Sequence, residues 1–155
     1  MPNYSGLKAE IAKPAYSGMS DDQIAAALLV PQSVDVDVQV VDVESYLRLN
    51  GLMFALSRFY QAPPAGADIN AVAVAFELYG LITAPRTSVF QTSDPVRKAM
   101  LQVQLSLLQA AGILSAENIA NLMALTLATK SIAQQLGFPA EADMNQEIAA
   151  ARIHG

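Results

Sequence analysis

Residues Val34 to Val40 alternate without a break: valine stands at 34, 36, 38 and 40, with Asp35, Asp37 and Gln39 between them. Successive side chains of a strand point to opposite faces, so this run makes a strand that is apolar on one face and acidic on the other. It is the clearest strand in a chain whose other apolar residues recur at helical spacing. The amides and carbonyls of a strand need partners, and a lone strand does not persist in water. The rest of the chain offers two modest partners: Ser88 to Gln91, which is short, and Ala71 to Ala75, which fits a helix better. Pairing is therefore either within the chain at Ser88 to Gln91, or with a strand supplied by another chain through strand addition. We expect the second, which makes Val34, Val36, Val38 and Val40 candidate protein-contact residues.

Helix signals fill the remainder. Ser5 to Lys13 carries Leu7 and Ile11 on one side and stops at Pro14. Ser20, followed by Asp21, Asp22 and Gln23, forms a capping-box start, and Pro31 ends that helix. Asp42 can cap a helix from about Val43 to Tyr60, with Leu47, Leu49, Leu52, Met53, Leu56 and Phe59 in its middle. A Pro/Gly turn at 61–67 separates it from a helix opened by Asp68 and running through Leu81, which carries Ile69, Val72, Phe76 and Tyr79. Asp94-Pro95 starts a helix that ends at Gly112. Ser115 and Asn118 start another, to about Gly137, with Ile119, Leu122, Met123, Thr126, Ile132 and Leu136 as its inward stripe. After Pro139 a last amphipathic stretch places Met144, Ile148 and Ala151 together. The expected fold is mainly α: six to seven helices in one compact domain over 1–155, with one short extended β segment at about 33–42 inside an extended segment or arm at 31–43.

Several functions are disfavoured. The formal charge is −5 and the basic residues are scattered, which argues against a nucleic-acid ligand. There is no cysteine, hence no thiolate nucleophile and no cysteine-based zinc site. The one histidine, His154, lies where a chain normally frays, a poor place for a catalytic base or metal ligand. Asp35 and Asp37 could share a cation, but the loop glycine and terminal glutamate of a calcium-binding loop are missing, and an acidic face that guards a strand edge explains them better. No phosphate-cradling glycine loop is present. We therefore expect no cofactor, no metal and no enzyme activity. The uncharged stretch Ala99 to Ala116 is interrupted by Gln102, Gln104, Ser106, Gln109 and Gly112, which fits a core helix and not a membrane span. No membrane partner is expected, and Met1 to Tyr4 does not open a signal peptide. Apolar residues make up 53% of the chain and charged ones 15%, against a usual roughly 45–50% and 25%, so much of the surface must be uncharged. Apolar surface of that kind marks protein contacts.

Two segments carry a family resemblance. Leu7 to Ile11 followed by Tyr16 to Leu28 resembles the opening of small structural-module proteins of tailed bacteriophages. Those proteins continue with an extended Val/Thr-rich segment, as Val34 to Val43 does here. They close with a helix similar to Lys130 to Phe138 and a short acidic helix leading to Ala-Arg, as at Ala151-Arg152. The resemblance implies a structural subunit of a virion, in its head, neck or tail, assembled in the host cytoplasm and acting through contacts with other virion proteins or with its own copies. The alternative it leaves open is a non-virion assembly chaperone or adaptor. It supplies no site residue.

Overall fold

The structure, a computed structural model, describes residues 1–84 and 89–154. The chain is mainly helical, with nine α-helices and two small sheets among the described residues. It divides into two compact units, one formed by residues 1–34 and 129–155, the other by 35–128. Each has its own apolar cluster, where the sequence reading placed one domain around one core.

In the first unit α1 (Tyr4–Ile11) and α2 (Asp21–Leu28) both pack on α9 (Met144–His154), so the two ends of the chain close on each other. Leu7, Leu28, Met144 and Ile148 are fully buried there. The Ser20 capping box forms as expected, with Gln23 completing it. Tyr4 donates to Glu147 at 2.7 Å and sets its ring edge-on to Phe138 at 5.4 Å. Arg152 pairs with Asp21, and Asn145 donates to Asp22 at 2.8 Å. The short α8 (Ile132–Gln135) is capped by Ser131 with Gln134, and the chain then turns at Gly137, which holds the left-handed φ of +84°.

The second unit holds α3 (Val40–Leu49), α4 (Leu52–Gln61), α5 (Ile69–Thr83), α6 (Pro95–Ala110) and α7 (Ala116–Ala124). Its core joins Val38, Val43, Leu47, Leu56, Ala75, Leu105, Leu108 and Leu122. The helix expected from Val43 to Tyr60 is two helices: Asn50 ends α3 and Gly51, at φ +68°, restarts the chain in a new direction. A left-handed residue cannot continue a right-handed helix, and glycine adopts that conformation without steric cost. The turn at 61–67 lies between α4 and α5 as expected. In α5 the inward face is Ala71, Val74, Ala75, Leu78 and Ile82, while Ile69 and Phe76 are exposed.

The extended segment departs most from expectation. It is two strands, β1 (Gln32–Asp35) and β2 (Val38–Gln39), and Val40 already begins α3, three residues before the predicted start. β2 pairs antiparallel with β3 (Val89–Phe90), Val38 opposite Phe90 and Gln39 opposite Val89. β1 pairs with β4 (Leu127–Lys130). Both partners come from the same chain, so the strand addition expected from another chain is replaced by pairing inside it. β4 falls within the helix expected to run to Gly137. That helix ends at Ala124, Thr126 turns the chain with its amide and hydroxyl both donating to the Met123 carbonyl, and the β-branched Thr129 suits the extended backbone of β4. Ser88, part of the alternative pairing partner, lies outside the described residues.

Candidate docking surface

The four valines expected to meet a partner do not form an outward face. Val38 and Val40 are each 4% exposed and belong to the core of the second unit, while Val34 and Val36 are half-buried. They do not form one strand face: Val34 lies in β1, Val36 between the strands, Val38 in β2 and Val40 at the start of α3, and β3 and β4 supply the backbone partners. The switch between sheets at Val36-Asp37 is pinned by side chains. The Val36 amide donates to the Thr126 carbonyl at 2.8 Å, and the buried Thr92 hydroxyl donates to the Val36 carbonyl. Ser93 donates to one Asp37 oxygen from its amide at 3.0 Å and its hydroxyl at 2.6 Å. Those two bonds, the hydroxyl's first, hold the Asp37 carboxyl below its ordinary pKa. Asp35 pairs with Lys98 on α6. Both carboxylates thus have protein partners and serve as ties between the strand switch and α6. Among the described residues no group of three or more His, Asp or Glu is placed to hold a metal ion. His154 is exposed in the last turn of α9.

The surface that does face outward lies on α6, which the sequence reading placed in the core. Asp94 caps the helix, accepting from the amides of Val96 and Arg97, and Pro95 occupies its first turn. Only Leu105 and Leu108 are buried, and α5 and α7 pack along that side. Val96 is 68% exposed, Met100 59% and Val103 62%. At about 100° per residue, Val96, Ala99, Met100, Val103, Leu107 and Ala110 fall in one sector about 100° wide. No charged residue lies in that sector. Arg97 stands at its margin, and Gln104 and Ser106 flank it. A shallow depression lined by Val89, Phe90, Thr92, Arg97, Met100 and Gln104 joins the stripe to β3. A second, lined by Leu81, Phe90, Leu101 and Gln104 among others, continues toward the end of α5. Leu81 and Val89 are also partly exposed beside these depressions, whose linings include the polar Thr92, Arg97, Gln104 and Glu77.

The spacing of Val96, Met100 and Val103 was available in the sequence, but an apolar stripe does not say which of a helix's sides is covered. α6 has apolar residues on both sides, and the choice is made by α5 and α7. Among the described residues no helix is long and apolar enough to cross a membrane. Comparison with protein-family models, with curated proteins and with solved structures returned no match.

Proposed function

We propose that this protein is a contact-making structural subunit that docks through the outer face of α6, extended by β3 and the end of α5. The observation that carries the reading is the uncharged stripe of Val96, Met100 and Val103, each more than half exposed on a well-capped helix. A single exposed apolar residue is ordinary, but two valines and a methionine at the 4-3 spacing of a helix-packing seam, without a charge among them, form a surface suited to another protein. The ionisable groups that a catalytic reading would enlist at the strand switch, Asp35 and Asp37, are engaged by Lys98 and Ser93.

The resemblance of the chain's two ends to tailed-phage structural-module proteins supports a finer reading, a component of the virion head, neck or tail. Mass spectrometry of purified particles tests it. A virion subunit is present at a reproducible copy number that survives gradient purification, whereas absence from finished particles would overturn the virion reading in favour of an assembly factor. The docking reading is tested by Met100→Glu, which should block incorporation while leaving the circular-dichroism spectrum helical. Normal incorporation of that variant would contradict it.

A further inference from the structure

We infer that the partner of the α6 face is a second copy of this chain, its α6 packed antiparallel against the first across a two-fold axis. This rests on the docking reading above and names its occupant. The exposed Val96, Met100 and Val103, continued by Leu107, which is half-buried against the core of the second unit, follow one another at intervals of four, three and four, the spacing of a helix that packs against another helix. The 4-3-4 pattern reads the same in both directions, so it also matches a reversed copy of itself. With the axis between residues 101 and 102, Met100 meets the second copy's Val103, and Val96 meets the second copy's Leu107. Small Ala99 beside the seam permits close approach of the two helices.

Charge selects the same orientation. The chain carries a net −5, so two copies repel unless they meet where acidic groups are absent, and the α6 sector is such a place. α6 has charged side chains only at Arg97 and Lys98, in its first turn, and Lys98 is paired with Asp35. A parallel pair would set Arg97 against its own copy. The antiparallel pair sets it beside the C-terminal half of the opposite α6, where the helix dipole is negative and the neighbouring side chains are neutral. The area also fits. The exposed parts of Val96, Met100, Val103, Val89 and Leu81 sum to roughly 450 Å², about the apolar share of an interface that buries about 800 Å² on each partner.

The chain has no cysteine, so single introduced cysteines report contacts cleanly. Mixing Met100→Cys with a tagged Val103→Cys and oxidising mildly should give a cross-linked heterodimer. Val96→Cys alone should not cross-link, because the two copies of that residue lie about 16 Å apart along the helix axis, beyond disulfide reach. Sedimentation should show a dimer of the 16.4 kDa chain, weakened at least about 30-fold by Met100→Glu. Cross-linking of Val96→Cys with itself in preference to the mixed pair, or sedimentation as a single copy throughout, would overturn the inference. If the chain is a single copy and Met100→Glu still blocks incorporation into particles, the second-copy inference fails and the docking reading stands. If Met100→Glu changes neither property, both fail.

Discussion

Replacing Thr92 with valine removes one hydroxyl at the point where the chain leaves β1 for β2. Thr92 is 1% exposed, and its hydroxyl donates to the carbonyl of Val36. Its contact with the Phe90 carbonyl, at 3.4 Å, is much weaker. Valine has nearly the same shape, so packing is retained while the carbonyl of half-buried Val36 loses the donor that the buried Thr92 supplies. Leaving a buried acceptor unsatisfied costs about 1–3 kcal/mol. Thr92→Ser makes the complementary change, keeping the donor and losing a methyl group for about 0.5–1.5 kcal/mol. The hydrogen-bond argument therefore orders the variants: wild type most stable, Ser next, Val least. Urea denaturation measures the difference, and amide exchange locates it. The Val36 amide, bonded to the Thr126 carbonyl, should exchange faster in Thr92→Val than in Thr92→Ser. A valine variant as stable as wild type, or more stable than the serine variant, would refute the reasoning.

Ser93→Ala removes the larger cause of the lowered Asp37 pKa, so the Asp37 midpoint followed by NMR should rise toward the ordinary carboxylate range, and an unchanged midpoint would contradict the assignment. Because the folded-state pKa lies below the unfolded value of about 3.9, Asp37 contributes stability above that pH and loses it as the pH falls through the folded-state pKa. Wild type should therefore lose this contribution in that acidic window, and Ser93→Ala should show a smaller change there in pH-dependent melts. Two glycine substitutions should act in opposite directions. Gly137→Ala forces alanine into a left-handed φ, with its Cβ 2.8 Å from the Met1 carbonyl oxygen, and should cost at least about 1–2 kcal/mol. Gly80→Ala, in the interior of α5 with open space around the new methyl, should gain about 0.5–1 kcal/mol, and thermal melts of the pair check both signs. Leu108→Ala empties a fully buried site on the inner side of α6 and should cost about 2–5 kcal/mol in urea denaturation.

Local signals were legible where one residue decides the backbone. Ser20 with Gln23, Asp68, Asp94-Pro95 and Ser115 with Asn118 all start helices where the sequence placed them, and Gly112 follows the end of α6 in the left-handed conformation, whereas Gly137 follows the short α8 and not the helix begun at Ser115. Two signals of the same kind were present and overlooked. Asn50-Gly51 is a helix stop between two apolar stretches, and Ser131 with Gln134 is a capping box that requires the preceding residues to be non-helical. Choices made by tertiary partners were not legible. Ala71 and Ala75 face inward while the larger, more apolar Ile69 and Phe76 stay outside, a choice that periodicity alone does not make. The closure of α1 and α2 on α9 depends on contacts more than 100 residues apart, such as Tyr4 with Glu147, and no local pattern specifies them. The site was missed for the same reason: α6 has apolar residues around most of its circumference, and only the packing of α5 and α7 determines which ones remain outside.

The methionines provide a direct measurement of the docking claim. Met100 is 59% exposed on the α6 seam and Met19 is 42% exposed elsewhere, while Met53 and Met144 are buried at 7% and 2%. Brief peroxide labelling followed by peptide mass spectrometry reads all four in one sample. In dilute, unassembled protein Met100 and Met19 should both oxidise readily, and Met53 and Met144 should resist. In the assembled state, whether concentrated protein or purified particles, Met100 should become protected while Met19 remains reactive. Met100 oxidising at the same rate in both states would contradict the account.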